Sequence, residues 1–148
     1  RRSSDLPTDR RWFDVLAYCC GFWGITAVLG GITLVAGIYP ISTARLAGSP
    51  FSTYTIPGLI LVALGAASLL CGIALKNRRT GTVLLAGALG IAQLAYLGVE
   101  ELVIGFTWML ALFAALALVT IVLAGWLATH QPDDEERTTD PLPDQPFR

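Results

Sequence analysis

Apolar residues occur in four long runs separated by short polar segments. The runs cover about 12–38, 56–75, 82–103 and 107–129. Each run is close to or above the roughly 20 residues that an α-helix needs to cross the hydrocarbon core of a bilayer. The pattern therefore predicts an all-α fold, an integral membrane bundle of four transmembrane helices within 12–130.

The longest apolar stretch, 82–130, is too long for one crossing and suits two. Before His130, its only charged residues are the adjacent acids Glu100 and Glu101, and Gly105 supplies a break soon after them. The stretch therefore predicts a helical hairpin with the acid pair close to its turn.

Both ends of the chain are polar. Residues 1–11 are expected to be a lead-in on the cytoplasmic side, where Pro7 discourages an early helix. Residues 131–148 contain four prolines and a run of acids, a composition typical of disordered tails. No cleavable signal peptide is expected, because the first apolar run exceeds the length of a signal h-region.

The composition supports the same class. Hydrophobic residues make up 54% of the chain and charged residues only 14%, well below the quarter or so that is usual in soluble domains. The net charge of −1 gives no indication of a nucleic-acid partner.

Basic residues are concentrated on one side of the four predicted spans. Four of them lie in 1–11, three between the second and third spans and two in 131–148, which leaves only Arg45 on the other side. Cytoplasmic loops of membrane proteins carry this excess, so both termini are expected inside the cell. Aromatic residues that suit the two interfaces are Trp12 and Trp126 inside, and Tyr39, Tyr54 and Trp108 outside.

The basic turn between the second and third spans contains Lys76, Arg78 and Arg79. Its main role is expected to be the orientation of the helices. Binding of an anionic lipid headgroup is the alternative, although three residues fall short of the usual basic cluster.

Small residues recur within the first two spans. Ala27 and Gly31 are four residues apart, as are Thr26 and Gly30, and this spacing lets two helices approach closely in lipid. Two interpretations follow, a docking face for a partner protein or contact between the helices of this chain. The candidate packing residues are Ala27, Gly30, Gly31, Gly65 and Gly72.

Glu100 and Glu101 are the first functional candidates, because an ionisable residue within a span is by default a candidate for a functional site. Adjacent helical residues point about 100° apart, so these two do not form a catalytic pair. One hypothesis is binding of a proton, a cation or a basic residue of a partner. The alternative is an interfacial helix end, or an ion pair with Arg45.

The remaining polar residues favour packing over chemistry. Gln93 lies near the middle of the third span, where hydrogen bonds between helices contribute about 0.6 kcal/mol on average. Three cysteines make a disulfide framework improbable, and apolar surroundings leave such thiols inert. No catalytic, cofactor or metal motif occurs, so the chain is expected to be neither an enzyme nor a cofactor-binding protein.

Three segments together carry a family resemblance. They are the pair Pro57 and Gly58 that opens the second span, the basic turn with Arg78 and Arg79, and the motif V-E-x-L-V-I-G-F-x-W at 99–108. In these features the chain resembles a group of small four-helix membrane proteins of actinobacteria and related bacteria.

This resemblance implies a four-span bundle in a bacterial plasma membrane and brings no established activity. Of the two acids, only Glu100 matches the motif of the group, and Glu101 is a departure from it.

Three hypotheses for function follow. The first is a non-enzymatic accessory subunit of a larger membrane assembly, such as a cell-envelope lipid importer or a respiratory complex, with lipids and other subunits as partners. The second is a small oligomeric transporter or channel that binds a cation or proton at Glu100. The third, based only on the acids, is an enzyme acting on lipid headgroups.

Overall fold

The computed structural model describes residues 7–38, 42, 46, 51–77, 81–104 and 108–130. These residues contain four α-helices and no strand, which confirms the all-α class for the described part of the chain. The helices are α1 (Pro7–Val35), α2 (Thr55–Lys76), α3 (Thr82–Ile104) and α4 (Trp108–His130).

Some predicted features lie outside the described residues. They are residues 1–6 of the lead-in, Tyr39, the break at Gly105, the basic residues Arg45, Arg78 and Arg79, and the tail 131–148.

The start of α1 differs from the sequence prediction. The apolar run predicts a start near Trp12, but the helix already begins at Pro7. Proline is accepted at the first helical position, because the N–H group there has no partner within the helix and the fixed φ angle suits a helix. Five residues of the predicted lead-in are therefore helical.

The end of α1 lies before the predicted boundary at Ile38. Gly37 adopts a left-handed φ of +64°, a conformation that glycine takes without the steric cost of a Cβ atom. Its N–H donates to the carbonyl of Leu34, and the N–H of Ile38 donates to that of Thr33. This Schellman arrangement ends the helix at Val35 although the apolar run continues.

The four helices pack as two antiparallel hairpins, α1 with α2 and α3 with α4. α2 also contacts α3, and α1 contacts α4, so the helices form a closed ring. We call the end with Arg11 and Lys76 the basic end. The opposite end, where α3 carries Glu100 and Glu101, is the acidic end.

α1 and α2 meet through three layers of small residues that recur every seven positions on each helix. A Cβ atom placed on Gly24 would lie 2.8 Å from the carbonyl oxygen of Gly65, and one on Gly31 would lie 2.6 Å from that of Gly58. The two backbones are therefore in direct contact, with the seven-residue period of a left-handed coil. The facing pairs are Ala17 with Gly72, Gly24 with Gly65, and Gly31 with Gly58.

The buried apolar core is concentrated towards the basic end, and all four helices contribute to it. Leu16 and Leu75 are the largest of its fully buried side chains. The core residues are Leu16, Ala17, Cys20, Cys71, Leu75, Val83, Ala86, Ala124 and Leu127.

The outward-facing surface of the bundle is strongly apolar. Large side chains such as Phe22, Leu70, Leu84 and Val122 are exposed on successive helices. All four helices are long and apolar enough to cross a membrane. Continuous apolar surface of this extent is rare on soluble monomers and is typical of surfaces that lipid covers, so the structure indicates a membrane protein.

Replacing Gly24 by alanine is expected to lower the free energy of unfolding by about 1–3 kcal/mol, because the new Cβ atom meets the Gly65 backbone. Gly21→Ala in the same helix is the matched control, since its Cβ atom would meet nothing within 4 Å. That control is expected to be neutral or to stabilise by up to about 1 kcal/mol. Unfolding in mixed detergent micelles measures both, and equal stabilities would contradict the close contact of α1 and α2.

Candidate functional site

Glu100 and Glu101 lie about one turn before the end of α3, at the acidic end. Their side chains point in different directions, as the angle of about 100° between adjacent helical residues requires. Glu100 is half-buried and borders a cavity, whereas Glu101 is exposed. The two acids therefore have different surroundings, and only Glu100 faces the interior.

The cavity has a volume of about 500 Å³ and lies between the end of α1, the first half of α2 and the second half of α3. Its size falls within the range of roughly 300–1,000 Å³ that is usual for small-molecule sites. Its surface is almost entirely apolar. The lining residues are Leu34, Leu46, Phe51, Tyr54, Pro57, Ile60, Leu64, Ala92, Ala95, Tyr96, Val99 and Glu100.

The two tyrosine hydroxyls at the cavity are engaged in hydrogen bonds with backbone. Tyr96 donates to the carbonyl of Pro57 over 3.3 Å and so connects α3 with α2. Tyr54 donates to the carbonyl of Ser42 over 3.2 Å. Both bonds stabilise the cavity wall, and neither involves the carboxylate of Glu100.

Glu100 is the only charged residue that lines the cavity among the described residues. Its carboxylate forms no hydrogen bond or ion pair with any group in the described part of the chain. The ion pair with Arg45 considered above lies outside the described residues. A carboxylate at the edge of an apolar cavity can bind a positive charge or a hydrogen-bond donor.

The cavity opens sideways, between α2 and α3. Three of its lining residues are also exposed on the outer surface, namely Ile60 on α2, and Ala95 and Val99 on α3. Ile60 is 42% exposed and Val99 52%. The opening therefore faces the same surroundings as the apolar outer surface of the bundle.

Gln93 takes part in a buried polar contact in the middle of the bundle. Its side-chain amide donates to the hydroxyl of Ser68 over 2.8 Å, and Ser68 donates to the carbonyl of Leu64. Gln93 is 2% exposed and Ser68 is fully buried. This chain of bonds joins α3 to α2, which favours the packing interpretation of Gln93.

Trp23 on α1 and Thr120 on α4 are buried as well. Thr120 donates to the carbonyl of Leu116 in its own helix. The indole N–H of Trp23 is buried and has no hydrogen-bond partner among the described residues. The bond from Gln93 to Ser68 joins two helices, whereas the bond of Thr120 stays within α4.

The candidate packing residues divide into two groups. Gly31, Gly65 and Gly72 lie in the small-residue layers between α1 and α2. Ala27 is buried, whereas Gly30 has only an ordinary contact with the side chain of Leu61. The sequence prediction emphasised a spacing of four and did not include Gly24 or Gly58, which a search for a seven-residue spacing would have identified.

At the basic end, the ammonium group of Lys76 lies 5.0 Å from the ring centroid of Tyr18. This cation–π contact orients Lys76 on the bundle surface. Trp12 and Trp126 form an edge-to-face pair with centroids 6.0 Å apart. The predicted partners of Lys76 in a headgroup site, Arg78 and Arg79, lie outside the described residues.

The cysteines are free thiols. Cys20 and Cys71 belong to the buried core, where Cys71 donates to the carbonyl of Thr82 over 3.6 Å. Among the described residues, no group of three His, Cys, Asp or Glu side chains is close enough to hold a metal ion. Cys20 and Cys71 are packed as small apolar side chains in the core.

Sequence reasoning identified Glu100 but not the cavity beside it. The cavity depends on Ala92 and Ala95, which leave space where larger side chains would fill the gap between α2 and α3. Tyr96, one turn before Glu100, was also missed. Two small residues and an aromatic residue that precede the acid on one helix were the available signal.

The variant Ser68→Ala is expected to cost more stability than Gln93→Leu. Ser68→Ala leaves the amide of Gln93 buried without this partner, which costs about 1–3 kcal/mol, whereas Gln93→Leu loses one bond of about 0.6 kcal/mol. The double variant is expected to be more stable than Ser68→Ala alone. Unfolding free energies of the four proteins measure the coupling, and strict additivity would contradict it.

Comparison with models of protein families, with characterised proteins and with solved structures found no match to this chain.

Proposed function

We propose that this chain is a non-enzymatic membrane protein that binds a positively charged ligand at Glu100. One observation carries the proposal: Glu100 borders an apolar cavity of about 500 Å³ without a partner among the described residues. A cation bound there would supply a counter-charge that none of the described residues provides.

The physical reason is the cost of a carboxylate in apolar surroundings. Removing a charge from water is unfavourable unless a partner of opposite charge or hydrogen-bond donors replace the lost solvation. The tyrosine hydroxyls at the cavity already donate to backbone carbonyls. A ligand with a positive group is therefore expected to bind at Glu100 with a more favourable free energy than a neutral or anionic ligand.

Cation binding agrees with the second hypothesis from the sequence, a small transporter or channel active as an oligomer. Ionisable residues within spans commonly mark substrate and ion pathways. Glu100 lies near one end of its span, so it is placed to bind a ligand close to the membrane surface.

The structure weakens one argument for the accessory-subunit hypothesis. The small-residue faces of the first two spans were candidate docking surfaces, but the glycines of the three layers contact each other in this chain. The lack of catalytic motifs and the small extramembrane mass still favour such a role. Gentle detergent extraction that recovers partner proteins in fixed stoichiometry would support it.

The proposed location is a bacterial plasma membrane, with the basic end in the cytoplasm and the acidic end outside. The support is the excess of Lys and Arg in segments adjoining the basic end. The ligand would then reach Glu100 from the outer half of the bilayer or from outside the cell.

Glu100→Gln is expected to weaken binding of organic ammonium ions at least tenfold, because the variant removes the charge and keeps the shape. Glu101→Gln is the matched control: it removes the neighbouring, exposed charge and is expected to bind like the wild type. Calorimetric titration of the full chain in nanodiscs, with ammonium ions from ethylammonium to decylammonium, measures both. Saturable binding that is equal in both variants, or no saturable binding to the wild type, would refute a cation site at Glu100.

The proposed orientation predicts opposite alkaline phosphatase activities for fusions at two positions of the chain. A C-terminal fusion is expected to give active green fluorescent protein and inactive alkaline phosphatase, because the tail lies in the cytoplasm. A phosphatase fusion placed after residue 105 is expected to be active. Reversal of the two phosphatase results would contradict the orientation and leave the helical fold unaffected.

A further inference from the structure

We propose that the ligand of the Glu100 site is an amphiphilic cation with one alkyl chain, which enters from the lipid between α2 and α3. The alkyl chain occupies the cavity, and an ammonium head group pairs with Glu100. The inference rests on the proposed function, in that Glu100 binds a positive charge, and it specifies the chemical class of the ligand.

The shape and lining of the cavity determine the tail of the ligand. Along α3 the cavity extends from Ala92 to Glu100, a distance of about 12 Å at 1.5 Å per residue. Apart from the carboxylate end, its surface offers aliphatic and aromatic carbon. Burial of a hydrocarbon chain in such a cavity contributes favourably to the binding free energy, whereas burial of a polar chain does not.

The position of the opening determines the route of entry. Ile60 on one side and Ala95 and Val99 on the other are exposed on the apolar outer surface and also line the cavity. Nearer the basic end, α2 and α3 are joined by side-chain bonds from Gln93 and Cys71. The exposed lining residues place the gap in the acidic half of the bundle, where the bond from Tyr96 to Pro57 connects the two helices beside it, and a ligand dissolved in lipid reaches the gap directly.

The charge of the site determines the head group. Glu100 lies at the acidic end of the cavity, about one turn from the end of α3, close to the expected depth of the lipid headgroups. An anionic amphiphile would be repelled by the carboxylate. A neutral alcohol would add no counter-charge to the one carboxylate among the described lining residues, so a single positive head group is the best complement.

The test uses the full chain in nanodiscs of phosphatidylcholine, with empty nanodiscs to subtract partitioning into lipid. The three probes are decylammonium, decanol, which has the same chain without the charge, and ethylammonium, which has the charge without the long chain. We expect saturable binding of decylammonium, at least tenfold tighter than that of either other probe. Glu100→Gln is expected to weaken decylammonium binding at least tenfold, whereas Glu101→Gln leaves it unchanged.

Ala95→Phe tests the cavity itself, because its side chain would fill the opening from an exposed position of α3. Ala88→Phe is the matched control, since Ala88 is exposed on the same face seven residues earlier and does not line the cavity. Both variants are expected to unfold at the same temperature as the wild type. Only Ala95→Phe is expected to reduce decylammonium binding, again at least tenfold.

The outcomes separate this inference from the proposed function. Equal affinity for ethylammonium and decylammonium, dependent on Glu100, would refute the inference that the ligand is amphiphilic. It would leave the proposed cation site intact. Decanol binding as tightly as decylammonium, with no effect of Glu100→Gln, would mean that an ordinary lipid chain occupies the cavity and would overturn both. Decylammonium binding that depends on Glu100 but is unchanged in Ala95→Phe would refute the inference that the alkyl chain lies in the cavity.

Discussion

The close backbone contact between α1 and α2 is the interaction on which the rest of the bundle depends. In lipid, apolar side chains gain little by leaving their surroundings, so helices associate through close packing of their surfaces. The facing glycines Gly24 with Gly65 and Gly31 with Gly58 allow the two backbones to touch. Many weak atomic contacts then add along two long helices, and this hairpin supplies the most extensive interface of the bundle.

α2 packs more extensively against α1 than against α3, and this difference explains the position of the cavity. α2 uses its glycine face against α1 and contacts α3 much less. The core and the Ser68–Gln93 bond join it to α3 in the middle and towards the basic end, and the cavity lies between the two helices towards the acidic end. There the small side chains of Ala92 and Ala95 leave space, and the bond from Tyr96 to Pro57 bridges the two helices. A tightly packed half and an open half thus occur in one bundle.

The two acids show how depth and direction separate residues that are adjacent in sequence. Glu101 is exposed, and its charge remains in contact with the surroundings of the bundle. Glu100 faces inward because α3 turns it towards α2 and the cavity. A charge at such a boundary is unfavourable unless a partner compensates it, and this cost is the basis of the proposed binding role. The neutral polar residues Gln93 and Ser68 instead satisfy each other within the bundle.

The sequence by itself determined the number of helices, their approximate limits and their apolar outer surface. These features follow from the length of each apolar run, a local property, because a spanning helix satisfies its backbone hydrogen bonds internally. It also placed Glu100 and Glu101 on different faces, since the helical angle is fixed.

Only the tertiary structure decided which helices touch and what lies between them. The run of apolar residues does not reveal that α1 ends at Val35, because the Schellman bonds of Gly37 and Ile38 compete with a continuing helix. Nor does it reveal the cavity, because an empty space depends on side chains from three helices at once. Glu100 was visible as a charge in the sequence, but its position beside an apolar cavity is a property of the packed bundle.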